Sequence, residues 1–140
     1  MSNVDIILTM YKYFGTGEID RIRTEILHPD IVWRVPGHHP LAGAHTGGDQ
    51  ALAFLGQMAG TGIDFTDMHF GELDNGMVVE KHIGRVKLGE EEIELPAAVT
   101  YEIRDGKIAE VRVHSFDQHA LDRFIWSVKT LKPVSERLSA

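Results

Sequence analysis

The chain contains no cysteine, and this absence excludes several kinds of chemistry. Disulfide bonds, thiolate nucleophiles, thiolate zinc sites and iron–sulfur clusters all need that residue. A protein without disulfides suits a reducing compartment, so we expect a cytoplasmic location. No apolar run approaches the roughly 20 residues that a membrane-spanning helix needs. The first residues lack the basic start and small-residue cleavage site of a signal peptide, so we expect none.

Basic residues are also scarce, since 14 lysines and arginines face 21 acidic residues and the net charge is −7. Nucleic acids and anionic membranes are bound by positively charged surfaces, so neither is an expected partner. A chain of 140 residues with 43% hydrophobic and 25% charged residues is typical of a single globular domain. We predict one domain over residues 1–132 and a flexible tail over 133–140.

The order of predicted elements indicates an α+β fold. Helices are grouped before a series of strands joined by hairpin turns, among them Asp74-Asn75-Gly76, which favours a type I′ turn. We expect a curved, mostly antiparallel sheet, wrapped by three to four helices, that encloses a cone suited to a small ligand. The predicted helices cover residues 2–15, 18–27, 49–58 and 118–131, and the predicted strands cover 31–36, 63–73, 77–88, 93–104 and 107–116.

Asp117 is the acidic residue that the pattern singles out. The last strand places Val111, Val113 and Ser115 on one face, and Asp117 shares that face if the strand continues so far. A carboxylate turned toward an apolar interior loses hydration and becomes a better proton acceptor. Asp117 also directly precedes a helix, where aspartate is a favoured N-cap. Catalysis and capping both remain open, and they can coexist.

Eight histidines are present, and three of them, His38, His39 and His45, lie in one glycine-rich loop. The loop follows the strand that carries Trp33, so His38 and His39 can lie at the mouth of a pocket or be solvated. Their spacing matches no metal site, and the loop has no nucleotide-binding pattern, so we expect no metal and no cofactor. For His82 and His114, within predicted strands, we favour structural or interface roles.

Three segments carry a resemblance to a known family. They are YKYFGTGEIDRI, HPDIVWRVPGHHPLAGAHTGGDQALAFL and YEIRDGKIAEVRVHSFDQHALDRFI, which together span most of the chain from Val4 to Trp126. The chain resembles the nuclear transport factor 2-like superfamily, and within it the polyketide-cyclase-like branch typified by nogalonic acid methyl ester cyclase. Ketosteroid isomerase belongs to the same superfamily. Where that isomerase carries its two catalytic aspartates, this chain has Val35 and Val99, so its arrangement for steroid isomerisation is disfavoured.

The resemblance implies a cystatin-like cone and a proton-transfer reaction. In the cyclases, an aspartate at the end of the last strand is the proposed base, and its position corresponds to Asp117. The expected function is that of a cofactor-independent isomerase, cyclase or dehydratase that abstracts a proton next to a carbonyl. In this hypothesis Asp117 is the base, and His39 or Tyr11 holds the developing enolate oxygen. The alternative is a non-catalytic module of the same fold that binds a hydrophobic ligand or a partner protein.

The expected substrate is a small apolar compound with a carbonyl group, bound inside the cone. We also expect a homodimer, since the family commonly pairs sheet against sheet and the face with Glu110, Arg112 and His114 is polar. The residues predicted to bind the substrate are Trp33, Val35, His38, Phe54, Met58, Val99, Tyr101 and Val113.

Overall fold

Residues 1–130 are described by the structure, a computed structural model, and the predicted tail over 133–140 lies outside them. Within this part of the chain, four α-helices precede, interrupt or follow the strands of one sheet, and a π-helical turn (Ile22–Ile26) links the second helix to the first strand. The elements are α1 (Asn3–Gly15), α2 (Ile19–Arg21), β1 (Leu27–Val35), β2 (Gly43–Thr46), α3 (Gly47–Ala59), β3 (Asp64–Glu72), β4 (Val78–Leu88), β5 (Glu91–Arg104), β6 (Lys107–Ser115) and α4 (Gln118–Val128).

The six strands form one sheet in the order β2-β1-β6-β5-β4-β3. Every neighbouring pair is antiparallel except β1 and β6, which run parallel. The predicted α+β fold with a curved, mostly antiparallel sheet is therefore confirmed. The three longer helices bury apolar side chains against the inner face of the sheet, as Met10, Phe54 and Phe124 show for α1, α3 and α4.

None of the helices within residues 1–130 has both the length and the apolar character needed to span a bilayer.

The first helix begins where the sequence predicts it. The Ser2 hydroxyl accepts a hydrogen bond from the Asp5 backbone N–H at 3.2 Å, and the Asp5 carboxylate accepts one from the Ser2 N–H at 3.1 Å. This reciprocal capping box satisfies two N–H groups that the helix cannot bond internally. The apolar side of α1 then buries Ile6, Ile7 and Met10.

The segment after α1 differs from the prediction. In place of one helix over residues 18–27, α2 has a single turn, the π-helical turn follows, and β1 begins at Leu27 rather than at residue 31. Pro29 therefore lies inside a strand, where it donates no ladder hydrogen bond. The pairing of β1 with β6 shifts register between Leu27 and Val32, and this irregularity accommodates the proline.

Two further details were not predicted. The glycine-rich loop contains the short edge strand β2, which has no alternating apolar pattern to reveal it. The turn over Asp74, Asn75 and Gly76 is not type I′, because Gly76 has a positive φ (86°) and Asn75 does not. Type I′ geometry requires positive φ at both central residues. Asp105 (54°) and Gly106 (73°), between β5 and β6, meet that requirement.

Candidate functional site

A cavity of about 460 Å³ lies between the inner face of the sheet and the helices α1, α3 and α4. Its wall is mostly apolar, with a small number of polar side chains. The structure places most of the predicted substrate-binding residues in this wall, namely Trp33, Val35, Phe54, Met58, Val99, Tyr101 and Val113, together with the predicted catalytic residues Tyr11 and His39. His38 and Asp117 are not among the lining residues.

Glu80 is the buried acidic residue of the cavity wall, and its exposure is 0%. It lies on β4, where alternation turns Val78, Glu80 and His82 to the inner face. The Oε1 atom accepts hydrogen bonds from the Tyr11 hydroxyl (2.6 Å) and the Tyr101 hydroxyl (2.7 Å). The Oε2 atom lies 2.6 Å from Nδ1 of His82. Three donors therefore compensate the burial of this carboxylate.

His82 is held in one orientation by this contact. Because Nδ1 faces the carboxylate at 2.6 Å, it carries a proton, and the neutral ring has its lone pair on Nε2. Nε2 makes no hydrogen bond with residues 1–130 and stays accessible to a water-sized molecule. The ring of Phe65 packs edge-on against the imidazole with centroids 5.0 Å apart. A carboxylate that orients an imidazole in this way is a recurrent arrangement for proton transfer.

The two tyrosines bind Glu80 through their protons. Burial raises the pKa of both hydroxyls well above the ordinary value, and the negative charge of Glu80 raises it further. Tyr11 and Tyr101 therefore remain protonated. From the sequence, either His39 or Tyr11 was expected to hold an enolate oxygen of the substrate. The structure instead directs the proton of the Tyr11 hydroxyl to Glu80.

His39 presents a different kind of group in the wall. Its Nδ1 accepts a hydrogen bond from the Leu41 backbone N–H at 3.1 Å, so the proton of the neutral ring lies on Nε2. Burial lowers the pKa of His39, and the nearby charge of Asp122 opposes this only in part. Nε2 of His39 and Nε1 of Trp33 are both sealed from water and have no hydrogen-bond partner within residues 1–130. Such buried, unpaired N–H groups cost about 1–3 kcal/mol each and require an explanation.

The other two loop histidines lie elsewhere. His38 is exposed, contrary to its predicted place in the pocket, because its backbone and not its ring contacts α4. Its N–H donates to Asp122 Oδ2 at 3.2 Å, and its carbonyl accepts from Trp126 Nε1 at 2.5 Å. His45 is buried, where its Nε2–H donates to the Leu41 carbonyl at 2.8 Å and its ring stacks on Phe54.

The predicted inward orientation of Asp117 is wrong. The inner face of β6 follows the predicted alternation through Val113 and Ser115, but the strand ends at Ser115. The chain turns at Phe116, so the alternation does not extend to Asp117. Asp117 is exposed, and its Oδ1 accepts a hydrogen bond from the Ala120 N–H at 3.1 Å. The structure therefore gives this residue the helix-capping role, and the argument that burial makes it a strong base has no support.

Glu80 was not predicted as a site residue from the sequence, and His82 was expected to have a structural or interface role. A signal was present, since both residues share a strand face with Val78. The opposite face of β4 carries Val79 and Ile83, which are also apolar and half-buried. Alternation alone could not tell which of the two faces is the inner one.

No cluster of three histidine or acidic side chains placed to hold a metal ion occurs within the described residues.

Comparison with known families gives a match over most of the chain. The model of the SnoaL-like domain matches residues 7–111. No curated protein matches the sequence.

Several solved structures share the fold. Bal32a, from a soil-derived mobile gene cassette, superposes with a TM-score of 0.77 at 24% identity, over 88% of this chain and 95% of its own. An NTF2-like protein from Burkholderia xenovorans LB400 gives 0.70 at 27% identity, with 88% and 95% covered. TerC, co-crystallised with polyporic acid, gives 0.70 at 25% identity, with 89% and 98% covered. A candidate polyketide cyclase from Pseudomonas putida KT2440 gives 0.65 at 16% identity, with 87% and 98% covered.

Proposed function

The chain belongs to the family of SnoaL-like domains, and from this premise we propose that it is a cofactor-independent isomerase, cyclase or dehydratase acting on a small molecule inside the cone. The observation that carries the proposal is the buried pair of Glu80 and His82 in the wall of the apolar cavity. In this proposal His82, and not Asp117, is the base.

The reaction begins with the lone pair on Nε2 of His82, which takes a proton from a carbon next to a carbonyl group. The C–H bonding electrons move into the carbonyl, whose oxygen becomes an enolate oxygen. The carboxylate of Glu80 stabilises the imidazolium that forms, and is itself a positioning residue held by the two tyrosines. Return of the proton to another carbon gives isomerisation. Loss of a neighbouring hydroxyl as water, with that proton, gives dehydration. Attack of the enolate carbon on a second carbonyl, whose oxygen then takes that proton from His82, gives ring closure.

The unpaired N–H of His39 is the donor we assign to the enolate oxygen, in agreement with the prediction from sequence. Because this N–H is sealed from water, contact with the oxygen requires the surrounding wall side chains to move slightly. Neutral imidazole suits this role, since the low pKa of His39 keeps it from becoming an acid that gives up its proton.

Two features support a small-molecule substrate. The volume of about 460 Å³ lies within the usual range of ligand pockets, about 300–1,000 Å³. TerC, a structural neighbour, was crystallised with polyporic acid, which makes this compound a sensible first ligand to test.

A screen for proton abstraction tests the proposal while the natural substrate is still unidentified. A panel of apolar ketones with acidic C–H groups is incubated with the protein in D₂O, and polyporic acid, which has no C–H next to its carbonyls, is tested for binding and conversion only. Exchange of the C–H for deuterium, or conversion to product, is followed by NMR. A compound that binds in the cavity and never exchanges or reacts would favour the non-catalytic module.

For an active compound, His82→Gln is expected to lower kcat by about 10²–10⁴-fold, the usual contribution of a general base. Glu80→Gln is expected to shift the pH profile of kcat as well as lower it, which a merely structural role would not do. His119→Gln is the matched control, because His119 is an exposed histidine on α4 that does not line the cavity. Full activity in a folded His82→Gln variant would eliminate His82 as the base.

We also propose that the protein is a homodimer that pairs the outer faces of two sheets. This face carries Arg112 and His114, both exposed, and Glu110, which Arg112 contacts at 2.7 Å. Light scattering is expected to give twice the chain mass of 15.7 kDa. Arg112→Glu, which places like charges beside each other, is expected to shift the protein toward monomer.

A further inference from the structure

The polar groups around Glu80, considered apart from the unpaired N–H groups of Trp33 and His39, have an unusual balance of hydrogen-bond donors and acceptors. Two tyrosine hydroxyls and one imidazole N–H meet there, and each directs its proton at the Glu80 carboxylate. Since a hydroxyl has one proton and the ring N–H has one, none of the three has a second proton to give to a ligand. The hydroxyls of Tyr11 and Tyr101 lie 3.3 Å apart and share the same acceptor atom.

Toward a ligand in the cavity, these groups can act only as hydrogen-bond acceptors. With Nδ1 facing Glu80, the neutral ring of His82 has its lone pair on Nε2, which is accessible and has no partner among the described residues. The tyrosine oxygens have acceptor capacity left after donating to Glu80. A ligand that presents an ether, ketone or carboxylate oxygen to His82 and the two tyrosines would bring acceptor against acceptor, and a carboxylate would also face the negative charge of Glu80.

We propose that the cavity binds neutral, apolar aromatic alcohols, with the ligand hydroxyl donating its hydrogen bond to Nε2 of His82. The rest of the ligand lies against the apolar wall, where the edge of Phe65 already packs on the His82 ring. The inference rests on the proposed function in that it uses the same cavity. It concerns which group the ligand presents to His82, and requires no chemical step.

The test compares two probes, 1-naphthol and 1-methoxynaphthalene, which differ in that a methyl group replaces the hydroxyl hydrogen in the second. Their affinities are measured by calorimetry at about pH 8, above the ordinary histidine pKa of about 6.5. Naphthol is expected to bind about tenfold more tightly than the ether, the worth of one hydrogen bond. The ¹⁵N signal of His82 Nε2 is expected to move on addition of naphthol and to stay in place with the ether.

His82→Gln is expected to abolish most of this preference, because an amide both donates and accepts. His119→Gln, at an exposed position of α4 outside the cavity wall, is expected to keep it. If His82→Gln does not fold, the ¹⁵N measurement on the unmodified protein still decides. Equal affinities, tighter binding of the ether, or binding of neither probe at millimolar concentration would overturn the inference.

The outcomes separate this inference from the proposed function. A preference for naphthol that depends on His82 establishes the acceptor wall even if no compound is ever turned over. Turnover that depends on His82, in a protein that binds both probes equally, supports the base and refutes the proposed ligand class.

Discussion

At the scale of single residues, substitutions of Asp117 distinguish a helix-capping role from a catalytic role. Its carboxylate accepts the Ala120 N–H, and an asparagine can do the same. We expect Asp117→Ala to lower the free energy of unfolding by about 1 kcal/mol and Asp117→Asn to lower it by only a few tenths. Urea unfolding measures both values. Turnover is expected to be unchanged in the asparagine variant. A large loss of kcat at unchanged stability would indicate that Asp117, and not His82, is the base.

Tyr101 tests how much the buried carboxylate depends on its donors. The Tyr101→Phe change removes one of three hydrogen bonds to Glu80 without removing the ring. Leaving a buried charged group short of a partner costs about 1–3 kcal/mol, so we expect a loss of that size in urea unfolding. Tyr13→Phe is the control, since Tyr13 lies on α1 but makes no contact with Glu80, and about 0.5 kcal/mol or less is expected there. Equal losses in the two variants would contradict the network.

The orientation of a side chain could be predicted from the sequence where the alternation of residues along a strand was enough to determine it. Alternation along β1 and β6 correctly placed Trp33 and Val113 on the inner face, where they line the cavity. Asp117 was misplaced because the same rule was extended past the end of its strand. Glu80 and His82 were missed because their site is a meeting of β4 with α1 and β5, and such contacts between distant segments leave no local pattern.

At the scale of elements, β3 contains a bulge opposite His82. Thr66 pairs with Ile83 and His69 with Lys81, so Asp67 and Met68 together face a single residue of β4. In a regular strand, Phe65 and Met68 would lie on opposite faces. The extra residue of the bulge allows both side chains to line the cavity. The bulge explains why the sequence, which predicted the strand itself well, could not predict its inner face.

Asp67 holds this bulge with a backbone angle that side chains rarely adopt. Its φ is 52°, and its carboxylate accepts a hydrogen bond from Arg85 at 3.2 Å. Asparagine and glycine tolerate this conformation and β-branched residues do not. We expect Asp67→Val to lower the free energy of unfolding by about 1–2 kcal/mol. Asp67→Asn, which removes only the exposed ion pair, is expected to stay within about 1 kcal/mol.

Urea unfolding of Asp67→Val and Asp67→Asn distinguishes the cost of backbone strain at a positive φ angle from the cost of losing the ion pair. The ring signals of His82 are expected to shift in Asp67→Val, because the bulge lies directly across the ladder from it. Arg21→Ala is a control for the loss of an exposed ion-paired arginine far from the bulge, since Arg21 contacts Glu18 and Glu25. An equal cost for the valine and asparagine variants would show that the ion pair, and not the φ angle, matters.

At the scale of the whole molecule, the general architecture follows from the sequence because it depends on the order of elements. Helices followed by antiparallel hairpins leave few ways to bury both the helix stripes and one sheet face. The parallel pairing of β1 with β6 was not predicted, since it joins strands that are far apart in the chain. The way in which the cone closes around the cavity could therefore not be predicted from the sequence.

The stability of the whole fold is expected to depend on pH through its two buried loop histidines. Burial lowers the pKa of His39 and of His45 relative to the unfolded chain, where histidine titrates near about 6.5. Between the lowered folded value and the unfolded value, the unfolded chain binds more protons. The free energy of unfolding therefore rises with pH across this window. The contribution of the two histidines is fully present above the window and is lost as the pH falls through it.

Urea unfolding at about pH 8 and about pH 5.5, on either side of the ordinary histidine value, measures this slope. The double variant His39→Gln with His45→Gln is expected to have a shallower slope, since glutamine can keep the contacts to Leu41 but does not titrate. His119→Gln is the control for the loss of an exposed histidine, and the double variant is expected to reduce the slope more than this control does. An unchanged slope in the double variant would mean that acid destabilises the fold through other groups, and the neutral, donor-carrying state assigned to His39 in the cavity wall would lose its support.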